Sequence, residues 1–236
     1  MNGHFDEDAF VAALDDFEHA LLEGDVASAT RAAADAEAIA GADEPEVLFC
    51  RARLALEREA LDEATSWLQR VVALDDAHAD AHHILAHLAE ERGDRPTMIA
   101  HYHRVRVLDA KADRAAGLGR GGALDHIERV AREVLSALPE PWGQRLAEVP
   151  IVLERRPSRD LVDDGFDPRS LGLFDGRTHG DEVTPAPSRI VLYTCNLLAD
   201  FGEGAELDAQ IEITLLHEIG HFFGLEEHDM ERLGLD

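Results

Sequence analysis

The chain has 236 residues, room for one domain of ordinary size or two small ones at roughly 100–200 residues each. Its 22 Lys and Arg stand against 49 Asp and Glu, a formal net charge of −27. Such a chain repels phosphate, so nucleic acid and anionic membrane surfaces are excluded as natural partners. Hydrophobic residues make up 45%, enough for a packed core and too many for a disordered chain. The N-terminal stretch Met1-Asn2-Gly3-His4-Phe5-Asp6-Glu7-Asp8 has no basic segment followed by an apolar one, so no signal peptide is expected. No apolar run approaches the length of a membrane span. The cysteines are Cys50 and Cys195, far apart in sequence, which argues against a disulfide framework. A cytoplasmic protein is expected.

Residues 1–115 are rich in Ala, Leu and Glu, and helical periodicity runs through them. Turn signals break it at Gly24-Asp25, Gly41-Ala42-Asp43, Asp75-Asp76 and Gly93-Asp94. Counting from Pro45, small and bulky residues fall at Leu48, Ala52, Ala55, Ala64, Leu68 and Val71. Advancing by a period of roughly 34 residues gives His82, Ala86, Ala89, Met98, Tyr102 and Val105. Stepping back by the same period gives Leu14, Glu18, Leu21, Thr30, Ala34 and Glu37, a degenerate copy of the kind that terminal repeats often are. This pattern resembles the tetratricopeptide repeat over about residues 8–112. The resemblance implies an all-α array of stacked helix pairs whose concave face docks a peptide or protein partner.

His82, His83 and His87 share one predicted helix, with His83 and His87 at i,i+4 spacing; His101 and His103 follow. Such pairs can bind metal, but no carboxylate falls where a third ligand is expected, so they are read as groove-lining or solvated. Gly117-Leu118-Gly119-Arg120-Gly121-Gly122 matches G-x-G-x-x-G literally. A dinucleotide site requires a strand before it, and a helix precedes it here. The segment is therefore read as a flexible linker, residues 116–123, that separates the repeats from a second domain at 124–236.

In that second domain, apolar residues at 124, 127, 130, 131, 134, 135 and 138 predict one helix face, ended by Pro139 and Pro141. Residues 149–154 predict a strand, and residues 171–176 a short strand ending in a turn. A polar loop is expected at 177–187. Arg189-Ile190-Val191-Leu192-Tyr193-Thr194-Cys195 predicts the strongest strand of the chain. Residues 208–223 predict a helix stopped at Gly224, and a final short helix is expected at 227–233. The order is that of a small α+β domain.

The penultimate helix carries His217-Glu218-Ile219-Gly220-His221, the pattern H-E-x-x-H. Each helical residue turns about 100°, so His217 and His221 lie about 40° apart on one face and can reach one ion. Glu218 points elsewhere and can serve as general base toward an attacking water. Imidazole nitrogens suit Zn2+, whose catalytic sites keep three protein ligands and one open position. Ile211, Leu215, Ile219 and Phe222 give the same helix a buried face. Gly224 stands where the longer H-E-x-x-H-x-x-G-x-x-H signature has its glycine. That signature places the third ligand at position 227, here Glu227. His228 is the alternative, and Glu226 and Asp229 are further candidates.

Together with Leu138-Pro139, the strand at 149–154 followed by Pro157, Leu171-Gly172-Leu173-Phe174-Asp175-Gly176 and Arg189-Ile190-Val191-Leu192-Tyr193, the motif gives residues 124–236 a resemblance to the minimal zincin-like metallopeptidases of bacteria. The resemblance implies a zincin-like α+β fold, zinc at His217 and His221, Glu218 as the catalytic carboxylate and an acidic third ligand, which favours Glu227. The expected protein is a zinc-dependent peptidase with a peptide-docking repeat domain. The analogy also makes the strand from Arg189 a sheet edge for substrate, with Tyr193 either donating to an oxyanion or simply packing its ring. The rival expectation is an adaptor whose repeats bind a partner and whose zinc site is structural or idle.

Overall fold

A computed structural model describes residues 6–139, 142–146, 149–176 and 188–233, with the side chains of 142, 227, 231 and 233 outside that description. The polar loop expected at 177–187 also lies outside the described residues. The chain divides into two compact units, Met1–Leu108 and Asp109–Asp236. No described helix is long and apolar enough to cross a membrane.

The first unit is helical. It contains α1 (Glu7–Leu22), α2 (Val26–Ala40), α3 (Pro45–Leu56), α4 (Leu61–Leu74), α5 (Ala79–Glu91) and the start of α6 (Arg95–Ala116). The expected breaks hold: each turn signal falls between two of these helices. Local chemistry explains the starts. The Ala9 amide donates to the Asp6 carboxylate and the Ser28 amide to Asp25, satisfying donors that a helix N-terminus leaves open. Pro45 begins α3, where its missing N–H costs nothing.

All six repeat positions of the middle helix pair, Leu48, Ala52, Ala55, Ala64, Leu68 and Val71, are buried. So are the six of the next pair, from His82 to Val105. The first set differs from expectation: Leu14 and Leu21 are half-buried, and Glu18, Thr30 and Ala34 are exposed. One residue further back lie Ala13, Phe17, Ala20, Ala29, Ala33 and Ala36, and all six are buried. The first helix pair is therefore regular. One extra residue between Ala36 and Leu48 shifts it out of phase with the pairs that follow.

The second unit holds the end of α6, then α7 (Gly122–Ala137), α8 (Trp142–Leu146), β1 (Ile151–Glu154), α9 (Arg159–Asp163), β2 (Gly172–Asp175), β3 (Arg189–Tyr193), α10 (Thr194–Phe201), α11 (Ala205–Phe222) and α12 (Glu227–Leu233). This is a small α+β arrangement. The three strands form one sheet in the order β1-β3-β2, with β1 parallel to β3 and β2 antiparallel to it. The expectation that the strand from Arg189 forms a sheet edge is thus corrected: β3 pairs on both sides, and among the described residues the edges are β1 and β2. Its Ile190, Val191, Leu192 and Tyr193 are all buried, as a strand covered on both faces requires. Ile190 and Leu192 join Ile127, Val130 and Ala131 of α7 and Leu207, Ile211, Leu215, Ile219 and Phe222 of α11 in one apolar core. Thr194 and Cys195, expected to extend the strand, instead begin α10.

The glycine-rich segment, expected as a flexible linker at 116–123, makes contacts within this unit. Leu118 lies against the apolar core, and the Arg155 guanidinium donates to the carbonyls of Leu118 and Gly119. Before it, the end of α6 is tied down by charge. Arg156 donates to both oxygens of Asp113 at 2.7 and 2.8 Å and to Asp109 at 3.1 Å. Arg169 adds two hydrogen bonds to Asp109, at 2.9 and 3.0 Å. Cys50 and Cys195 are free and buried; burial above all pushes the Cys50 thiol up to about 12, so it stays protonated.

Because Asp113 is 3% exposed, removing its partner strands a buried carboxylate. Arg156→Met is expected to destabilise the second unit by about 3–5 kcal/mol in urea unfolding. An unchanged midpoint would show that the ion pair contributes nothing.

Candidate functional site

A cleft of about 870 Å³ opens between β2 and α11, lined by β2 residues Gly172, Leu173 and Phe174, by α11 residues Gln210, Thr214, His217, Glu218 and His221, and by the turn at Gly224 and Glu226. The helix presents its polar side chains there because its other face is anchored by Ile211, Leu215 and Ile219 in the core.

His217 and His221 are one helical turn apart, and their Nε2 atoms stand 3.0 Å from one another with the rings edge to face. Two nitrogens bound to one tetrahedral zinc at about 2.0–2.1 Å lie roughly 3.3 Å apart. The pair is thus already close to the separation that a shared ion demands, and the donor chemistry suits zinc.

Glu218 is 7% exposed, a carboxylate almost removed from water. Such a group requires hydrogen bonds. The backbone amide of Phe174 supplies one, donating to Oε2 at 2.6 Å. The sheet register explains why this amide is available. Tyr193 donates to the Leu171 carbonyl, and the antiparallel pairing alternates from there. Leu171 and Leu173 therefore bond to β3, while Gly172 and Phe174 direct their backbone groups the other way, toward the cleft. Gly172 allows the close approach. A Cβ there would stand 2.8 Å from Thr214 Cγ2 and 2.9 Å from Glu218 Oε1.

The far end of the cleft depends on how α11 stops. Gly224 takes φ +80°, its amide donates to the His221 carbonyl at 3.0 Å, and the Leu225 amide donates to Gly220 at 3.0 Å. This is the glycine-terminated reversal that satisfies the last carbonyls of a helix. It turns the chain back so that Met230 of α12, fully buried, lies over Gly220.

The expected site residues separate into groups. His217, Glu218 and His221 come together in the cleft. Glu227 opens α12, but its side chain lies outside the described residues. His228 is exposed, 3.6 Å from the Asp229 carboxylate and 3.9 Å from that of Glu226. Glu226 lines the cleft, whereas Asp229 accepts from Arg232 at 2.8 Å. Tyr193 is fully buried, with its ring 6.1 Å from that of Phe166. Burial, with the Glu154 charge next, pushes its phenol above the usual tyrosine range, so it stays neutral.

Sequence reasoning missed two contributors. The Phe174 amide has no side-chain signature, and its role depends on the register of β2 on β3. Thr214 was detectable, since it precedes Glu218 by one helical turn and so shares its face. Its hydroxyl is buried on the cleft wall with no hydrogen-bond partner among the described residues.

An imidazole pair and a buried carboxylate held by a backbone amide thus line one cleft beside β2. The family model described as zincin-like metallopeptidase matches residues 146–235, the segment that contains the cleft. The search of curated proteins returned no match.

Gly172→Ala is expected to push Glu218 off the Phe174 amide and to destabilise the unit by about 1–3 kcal/mol through overpacking. A thermal melt superimposing on that of the unaltered protein would contradict the close approach.

Proposed function

We propose that residues 124–236 are a zinc-dependent peptidase domain and that residues 1–115, as tetratricopeptide-like helical repeats, dock its peptide or protein substrate. The observation that carries this reading is the meeting, in one cleft, of the His217 and His221 nitrogens at 3.0 Å with a Glu218 carboxylate held by the Phe174 amide. The match of residues 146–235 to the zincin-like metallopeptidase family supports it.

His217, His221 and Glu227 are the proposed zinc ligands. Support for Glu227 comes from its position at the start of α12, just after the Gly224 reversal. When bound, zinc supplies Lewis-acid polarisation of the scissile carbonyl and acidifies the attacking water. Glu218 accepts the proton that this water loses as its oxygen bonds to the carbonyl carbon. It then delivers the proton to the amine as the C–N bond breaks. The Phe174 hydrogen bond holds the carboxylate in one orientation throughout, so less reorganisation is needed during the reaction. An extended substrate adds along the β2 edge through the outward backbone groups that Glu218 does not occupy. That edge takes the role first expected of the strand from Arg189.

Glu218→Gln keeps the shape of the side chain and removes its basicity. It is expected to retain zinc while hydrolysis of a mixed fluorogenic peptide library falls by about 10²–10⁴-fold, the usual contribution of a positioned base. Hydrolysis undiminished in this variant would overturn the mechanism.

A further inference from the structure

The first unit contains a second imidazole pair with almost the same geometry as the pair in the cleft. His83 and His87 are one turn apart on α5, their Nε2 atoms are 3.2 Å from one another, and their rings meet edge to face at 4.5 Å and 80°. The corresponding values for His217 and His221 are 3.0 Å, 4.7 Å and 77°. Both separations approach the roughly 3.3 Å between two nitrogens on one tetrahedral zinc.

What lies behind the rings strengthens the case. A histidine that binds metal through Nε2 ordinarily has Nδ1 held by a hydroxyl, carbonyl or carboxylate, which fixes both tautomer and ring angle. His87 has this support. Its Nδ1 lies 3.4 Å from the Tyr102 hydroxyl of α6 and 3.7 Å from the Glu90 carboxylate. Tyr102 is itself almost fully buried, so its hydroxyl is a fixed support. Both imidazoles are partly exposed, which leaves a path for an ion to enter.

We propose that His83 and His87 form a second binding site for a divalent transition metal, with zinc the expected occupant and the two imidazoles supplying two of its positions. Where the cleft motif has Glu218 after its first histidine, this pair has Ile84. The site reinforces α5 by clamping two successive turns. The inference does not depend on the peptidase reading.

The test uses the full chain with His217→Ala and His221→Ala, stripped with chelator, dialysed against zinc chloride and assayed for bound metal by mass spectrometry. About one zinc per chain is expected, falling to none when His83→Asn and His87→Gln are added. Circular dichroism of each variant establishes that the helices persist. In the otherwise unaltered chain, Tyr102→Phe is expected to weaken this zinc about 10–100-fold while the other zinc is unaffected. If the cleft-deficient protein binds no zinc, or if its zinc survives loss of His83 and His87, the proposal fails. Should the cleft variants not fold, zinc titration of the unaltered protein followed by imidazole NMR decides it. Perturbation of the His83 and His87 rings supports the site, and unmoved His83 and His87 signals at saturating zinc overturn it.

Discussion

The close approach of α11 to the edge of β2 is the constraint on which the second unit is built. A carboxylate that is almost fully buried must find donors, and Glu218 finds one in the backbone of Phe174. This requires three things of the fold. The Phe174 amide must point away from β3, as the register of β2 on β3 makes it do. Position 172 must lack a side chain, because Thr214 and Glu218 occupy that space. And α11 must be clamped from its other face, which Ile211, Leu215 and Ile219 do against β3 and α7. The cleft is what remains of the edge once the helix has been laid across it.

Much of this was readable in the residues. The H-E-x-x-H spacing places two imidazoles on one face of any helix, and α11 is a helix with its expected apolar positions buried. Gly224 was expected to end it and does so through left-handed backbone. The role of β3 was harder to read. A run in which Ile190, Val191, Leu192 and Tyr193 are all apolar or aromatic is the pattern of a strand covered on both sides, and the edge expected by analogy did not weigh it. Thr194–Phe201 is helical even though it begins with strand-forming residues. Asn196, whose amide donates to the carbonyls of Pro168 and Ser170, supplies a tertiary anchor that local propensity does not report. The phase of the first helix pair was obscured by α2 itself. With Ala29, Ala32, Ala33, Ala34 and Ala36 available, an apolar residue falls near the expected positions in almost any register.

The two imidazole pairs illustrate how far a local motif carries function. Helix geometry alone sets the separation of histidines at i and i+4, so α5 and α11 offer an ion nearly the same two nitrogens. The surroundings differ. The pair on α11 has a buried glutamate beside it and a sheet edge in front of it. The pair on α5 has an isoleucine in that position and a tyrosine from α6 behind it. On the proposed reading, one setting supplies a proton acceptor and a place for an extended chain, and the other a holder.

The central claim is that one metal ion sits between His217 and His221 at the end of the cleft. Crystals of the zinc-loaded protein, with diffraction recorded on both sides of the zinc absorption edge, test it most directly. The account predicts an anomalous peak about 2.0–2.1 Å from both Nε2 atoms. Crystals with zinc in the mother liquor and no anomalous density between these two imidazoles would contradict it.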